Sequence, residues 1–300
     1  MGNRVGEGLG EPGRRLDQRG KTEGRRVREE NAGSGASVRN GSPRLTPPPD
    51  RDPLPTCVKD LDALPPEYSA TIRAGLSVPL SDPQFDAIGD HVRLLLAWNS
   101  AINLSGIRDV EGIARQHVLD SLTAVPLLRR AGIDDFIDIG SGAGYPGIPL
   151  AIALPARRAL LVESVAKKAR FLSAAVVVVG VADRVAVMAG RAETLAADPA
   201  HRGRWGAVVA RAVADLTELG ELSLPLLRPG GLLVAWKRRP IDAEVAAAAR
   251  AVRQLGGRVA DLEVVSVPGL EDHLLVVVEK VAETPREFPR DPAARRRRPL

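Results

Sequence analysis

The sequence predicts an α/β fold in which a mostly parallel sheet, ending in an antiparallel hairpin, follows a small helical lobe. Three observations predict it. From Phe136 onward, short apolar runs alternate with helix-length segments, as parallel strands joined by crossover helices do. A glycine-rich turn, Asp138-Ile-Gly-Ser-Gly-Ala-Gly144, falls where the first of those strands gives way to a helix. The last two strand-like runs are joined only by Pro268-Gly-Leu-Glu-Asp272, a link too short for a parallel crossover.

Residues 1–62 read as a disordered, low-complexity extension. From Met1 to about Pro55 the chain is rich in Gly, Arg, Glu, Asn and Pro, lacks aromatic residues, and spaces its few apolar side chains without helical or strand period. Such a stretch buries too little surface to fold alone. A start codon assigned too far upstream would also produce it. After the linker PPPDRDPLP, residues 63–132 form the helical lobe: Phe85, Ile88, Val92, Leu95 and Leu96, then Val118, Leu122 and Val125, recur at three- and four-residue spacing. Turn formers between Asn103 and Asp109 interrupt the period, and Asp109 is placed to cap a helix running toward Leu128.

Residues 133–282 form the core. Its strands are FIDIG, ALLVES, RVAVMAG, WGAVVAR and GLLVAWK, separated by helices over 148–154, 167–179, 193–197 and 215–227. A helix over 243–255 precedes RVADLEVVSV and HLLVVVEK, the hairpin. Five parallel strands closed by a hairpin is the Rossmann-like layout of class I S-adenosylmethionine-dependent methyltransferases, whereas dehydrogenase domains usually add a parallel sixth strand. Residues 283–300 end in Arg295–Arg298 and read as a basic disordered tail.

The formal charge of +5 resides in the two ends, each with a basic excess, while the body between them is nearly balanced. A basic isoelectric point therefore does not by itself mark the body as an RNA-binding surface, which must come from local clusters. Cys57 is the sole cysteine, which excludes an internal disulfide and any multi-cysteine metal site. His91, His201 and His273 share no metal-ligand spacing with each other or with Cys57, so no metal is expected. No leader-like or membrane-length apolar run occurs, and the expected setting is the reducing cytoplasm.

Glycines at 140, 142 and 144 let the backbone turn sharply and a ligand approach closely, and the helix that follows favours a carboxylate or phosphate. Gly142, Gly144 and Gly147 also satisfy the dinucleotide pattern, so the loop alone leaves NAD, S-adenosylmethionine and a ligand-free turn open. Glu163, ending the second strand about twenty residues on, is placed to accept hydrogen bonds from ribose hydroxyls, or else to cap a helix. The end of the third strand, Gly190-Arg-Ala-Glu193, suits adenine. The preceding helical lobe and Asp138 favour methyl transfer over hydride transfer.

In order, WNSAINLSGIRD, RQHVLDSL, FIDIGSGAGYPGIPLAI, KKARFL, GRAETL, VVARAVADL and LLVAWK resemble the RsmG (glucose-inhibited division protein B) family of 16S ribosomal RNA guanine-N7 methyltransferases. The likeness runs from about Leu64 to Lys280. It implies a cofactor site using Gly140, Tyr145, Ala192, Glu193 and Arg211, to which the loop adds Gly142 and the second strand Glu163. Tyr145, commonly aliphatic in the family, and Asp272, which stands where an arginine often precedes the histidine, depart from its pattern.

Guanine N7 offers a lone pair and carries no proton, so its methylation needs alignment rather than a general base. The residues agree: the one cysteine lies in the linker, away from any cytosine-C5 adduct chemistry, and Ala210-Arg211-Ala212 replaces the Asn/Asp-Pro-Pro motif of exocyclic-amine methyltransferases. Arg211 is the leading candidate for fixing cofactor or guanine, against a plain salt bridge to Asp215 or Glu193. Arg115, His117, Lys167, Lys168 and Lys237, with Arg170, Arg238 and Arg239, are candidate RNA contacts, although solvated surface charge or helix packing is the ordinary role of each. The expected partner is 16S ribosomal RNA or the small ribosomal subunit, and nothing requires more than a monomer. Alternatives are a methyltransferase of another RNA, a protein or a small molecule, an NAD-linked oxidoreductase, and a nonenzymatic RNA-binding protein.

Overall fold

The computed structural model describes residues 54–154 and 157–300, so most of the expected disordered extension lies outside the described residues. Its last part, 54–62, is not extraneous to the body. Leu54, Val58 and Leu61 pack against the core, the Trp98 indole donates to the Pro55 carbonyl at 2.7 Å, and Arg93 donates to the Val58 carbonyl at 2.7 Å. Isolated apolar residues without period find a home here because a preformed surface receives them.

The helical lobe comprises α1 (Pro66–Gly75), α2 (Asp82–Asn99), a broken helix made of α3 (Val110–Gly112), a π-helical stretch (Ile113–Leu119) and α4 (Asp120–Leu122), then α5 (Val125–Arg130). A capping box between Ser81 and Gln84 starts α2. Asp109 caps α3 as expected, accepting from the Gly112 N–H at 2.6 Å. The single helix expected toward Leu128 is instead interrupted, with α5 beginning one residue before Pro126, which has no N–H to continue the ladder. The π-stretch carries Arg115, Gln116 and His117, and such local widening frequently marks functional sites.

The core follows as β1 (Asp135–Ile139), α6 (Gly147–Ala153), β2 (Arg158–Glu163), α7 (Ala166–Val178), β3 (Val185–Ala189), α8 (Ala192–Ala197), β4 (Trp205–Arg211), α9 (Leu216–Ser223), β5 (Leu227–Arg238), α10 (Asp242–Gln254), β6 (Gly257–Val264) and β7 (His273–Lys280). One seven-stranded sheet runs in the order β3-β2-β1-β4-β5-β7-β6. The first five strands are parallel, and β7 pairs antiparallel with both β5 and β6. This is the expected class I layout.

All five residues of β1 are buried, which explains its reading as a continuous apolar run broken only by aspartates. Phe136 packs toward the lobe and Ile137 toward the α9–α10 layer, each contributing about 1.5–3 kcal/mol of burial. Asp135 anchors the amino edge of the sheet, accepting from Arg158 and Arg228 and from the Gly206 N–H, and these donors hold its carboxyl below the usual range despite burial. The strand order places the carboxyl ends of β1 and β4 at the point where the sheet's winding reverses, where such sheets bind ligands.

The last segment differs from the disordered tail expected over 283–300. Phe288 is buried in the α9–α10 layer, Arg290 donates to both carboxylate oxygens of buried Glu221, and α11 (Pro292–Arg297) is capped by Asp291. Counting charge along the sequence missed this because the acidic partners lie on α9, far upstream.

Candidate active site

Two cavities open along the carboxyl edge of the sheet and share the end of β4 as a wall. The smaller, about 280 Å³, is lined by Gly140, Ser164, Gly190, Ala192, Glu193, Val213, Ala214, Glu218 and Arg295, among others. The larger, about 390 Å³, is lined by Ile107, Gln116, His117, Asp120, Arg211, Ala212, Trp236, Lys237, Arg238 and His273. Arg211–Ala212 thus face one cavity and Val213–Ala214 the other. Ala212 holds φ +55°, the one non-glycine residue with positive φ among those described, and strain of this kind persists where surroundings over-determine the backbone.

The glycine loop forms the smaller cavity's floor. Gly140 adopts φ +71°, and a Cβ there would lie 2.8 Å from Val213 Cγ2. Glu163 sits beneath the loop rather than in the cavity: its Oε2 accepts from the Gly142 N–H at 2.9 Å and its Oε1 from the Val165 N–H at 2.7 Å. It is thereby a clamp between β2 and the loop, with one lone pair left on each oxygen for a hydroxyl. Asp138 Oδ2 accepts from the Gly147 N–H at 3.0 Å, while its Oδ1 is buried without a partner. Burial pushes the Asp138 carboxyl up to about 7. His91 of α2, unforeseen from sequence, fixes the loop from the lobe side by donating from Nε2 to the Ala143 carbonyl at 2.9 Å.

The larger cavity is built by side chains from distant segments. Asp120, 1% exposed, binds Arg211 at 3.1 Å through Oδ2 and His273 at 3.0 Å through Oδ1, and its carbonyl accepts from the Trp236 indole. Arg211 also donates to the Gln116 carbonyl at 2.9 Å and to His117 Nδ1 at 3.2 Å. Toward the arginine, which only donates, Nδ1 accepts; the same nitrogen lies 3.3 Å from the Gln116 carbonyl, and Nε2 meets Ser105 Oγ at 2.7 Å. Burial, reinforced by the Arg211 charge, pushes the His117 imidazole down to about 4. Asn99 presents Ser105, its amide donating to the Ser105 carbonyl and its Oδ1 accepting from the Leu104 and Ser105 N–H groups. That chain of contacts is the physical content of the WNSAINLS segment.

Several sequence-predicted residues occupy positions other than those expected. Arg211 forms its ion pair with Asp120, not with Asp215 or Glu193. Tyr145 lines neither cavity; it is buried between His91 and His117, with ring centroids at 4.6 and 4.7 Å. Lys237 lines the larger cavity but donates to Glu244 at 2.6 Å and to the Ala214 carbonyl at 2.7 Å, so its charge is engaged inside the protein. Arg115 pairs with Glu111 at 2.8 Å. Lys167, exposed, and Lys168, half-buried, lie in the first turn of α7 away from both cavities. Asp120, which the sequence reading did not single out, enters the site only through the packing of the lobe against β4 and β7.

The family described as "GidB: rRNA small subunit methyltransferase G" matches residues 84–275. The chain belongs to this family. Relatives bearing the name Ribosomal RNA small subunit methyltransferase G include one from Roseiflexus sp. (strain RS-1), 46% identical over 74% of this chain and 94% of its own length. Another, from Chloroflexus aggregans, is 44% identical over 74% of this chain and 93% of its own. A more distant likeness is the O-methyltransferase from Bacillus cereus in complex with SAH, with TM-score 0.46 and 15% identity over 71% of this chain and all of that one. In this family member the α/β core is a class I methyltransferase fold, as its strand order requires. No described helix is long and apolar enough to cross a membrane.

Proposed function

We propose that this protein transfers a methyl group from S-adenosylmethionine to N7 of a guanine in 16S ribosomal RNA, in the cytoplasm. The observation that carries the reading is the pair of cavities meeting at the end of β4, one floored by the glycine loop and the other walled by the Asp120–Arg211–His273 cluster.

The residues of the smaller cavity fit the cofactor. Gly140 leaves space that a Cβ would fill, and the unpartnered Oδ1 of Asp138 lies below the same loop. Gly140, Ala192 and Glu193 would hold the cofactor directly, with Gly142 and Glu163 setting the loop's shape. When bound, the cofactor supplies an electrophilic methyl on a positively charged sulfur.

The larger cavity suits a base that needs no deprotonation. His117, its imidazole lowered to about 4, is neutral at physiological pH and so can accept from Arg211. Arg211, clamped at three points, can offer its remaining N–H groups to guanine O6 without swinging onto N7, where it would compete for the lone pair. The Trp236 side chain adds an aromatic wall to the same cavity. Arg115 and the exposed Arg238 and Arg239 are the remaining surface cations of the candidate RNA set around the lobe and β5. Borohydride and aniline treatment of small-subunit RNA, from cells with and without the gene, tests the reading. Chain cleavage at one guanine should vanish without the gene; cleavage that persists there refutes it.

A further inference from the structure

The C-terminal segment reaches the smaller cavity. Its anchors are Phe288 in the core and the Arg290–Glu221 pair, with the Arg290 Nη2 to Glu221 Oε2 distance at 2.6 Å. They turn Arg295 inward. Arg295 is 8% exposed, lies 3.4 Å from Glu193 and 3.3 Å from Glu218, donates to the Arg290 carbonyl at 2.7 Å, and lines the same cavity as Gly140. Arg296, Arg297 and Arg298 stay exposed, as solvated charges do. Burying a guanidinium is costly unless it is paired, and here two carboxylates and a carbonyl meet it. Arg191 also approaches Glu193, but at 3.9 Å from a largely exposed position, so it is the contact salt would screen.

We propose that the C-terminal segment adds a wall to the cofactor cavity through Arg295, which positions S-adenosylmethionine at its adenine end. It does so in two ways: it fixes the carboxylate of Glu193, at the start of α8 beyond β3, and it offers a planar guanidinium face of the kind that stacks on aromatic rings. The inference rests on assigning the smaller cavity to the cofactor. It also gives one arginine of the basic tail a place at the cofactor.

Calorimetric titration with S-adenosylhomocysteine tests it on the full chain, using Gly140→Val, Arg295→Ala and Arg296→Ala beside the unaltered protein. Arg295→Ala should weaken binding roughly tenfold, the order expected for a lost charge-assisted contact, while Arg296→Ala stays within about twofold. Gly140→Val should abolish detectable binding. If Gly140→Val binds normally, the cavity assignment fails and this inference with it. If Gly140→Val loses binding while Arg295→Ala binds as tightly as the unaltered chain or tighter, only the role of Arg295 is overturned. Hydrogen exchange gives a second readout should Arg295→Ala not fold: S-adenosylhomocysteine should slow exchange of the amides over 293–298, and unchanged exchange there overturns the proposal.

Discussion

The two cavities are built by different means. The smaller is largely a backbone construction, in which glycines with positive φ shape a turn that Glu163 holds from β2 and His91 from the lobe. The larger is a side-chain construction, in which Asp120 from the lobe, Arg211 from β4 and His273 from β7 are brought together by tertiary packing. A backbone site tolerates changes in its neighbours but not an added Cβ. A side-chain site depends on every member of a buried network.

The largest expected break of this contrast is Asp120→Asn. Loss of the buried charge leaves Arg211 and His273 without their common partner, and methyl transfer to small-subunit RNA should fall by about a hundredfold or more. Binding of S-adenosylhomocysteine, measured by calorimetry, should stay within roughly twofold, because Asp120 touches only the larger cavity. A parallel loss of both would show that the cavities are not independent constructions.

The converse substitution is Gly144→Ala. Gly144 holds φ +87°, and its new Cβ would lie 2.5 Å from Ile148 Cδ1 and 3.0 Å from His91 Nε2, so the loop must shift. We expect a destabilisation of about 2 kcal/mol in urea unfolding, the scale of left-handed strain plus overpacking, together with weaker S-adenosylhomocysteine binding. Normal binding would mean that the loop's shape is not what the cofactor reads.

A smaller effect sharpens the comparison through pH. Burial pushes the His91 imidazole down to about 3, against an ordinary value of 6.5. Between those values the unfolded chain binds the proton and the folded one does not, so His91 makes stability fall as pH drops from 6.5 toward 3. His117, lowered to about 4, acts in the same sense, and Asp138, raised to about 7, in the opposite one. Urea midpoints at pH 7 and pH 4.5 should therefore converge in His91→Gln relative to the unaltered protein. An unchanged difference would remove His91 as a pH-sensitive support of the loop.

Least affected should be Arg115→Ala. Its exposed pair with Glu111 contributes less than about 0.5 kcal/mol to stability, yet a phosphate contact would add about one to the salt slope of RNA binding. A salt slope unchanged by the substitution would place Arg115 outside the RNA surface.

The same contrast explains what could be read from sequence. The strands, the hairpin and the positions of Gly140, Ala192 and Glu193 are local: each follows from periodicity, turn residues or the end of a strand. Asp120, His91 and Ser105 were invisible as a set because each looks ordinary on its own element, and only packing brings Asp120 to Arg211 and His273, His91 to the glycine loop, and Ser105 to His117. Residues 283–300 failed for the same reason. Their arginines read as solvated charge until α9 and α8 supply Glu221, Glu218 and Glu193.

Between the two cavities stands a partition one residue deep, Ala212 on one side and Val213 on the other. Neighbouring Cα atoms lie only about 3.8 Å apart, so a guest in either room rests against the same short stretch of backbone. Any influence that RNA exerts on cofactor affinity through that backbone is then returned in equal measure by the cofactor on RNA.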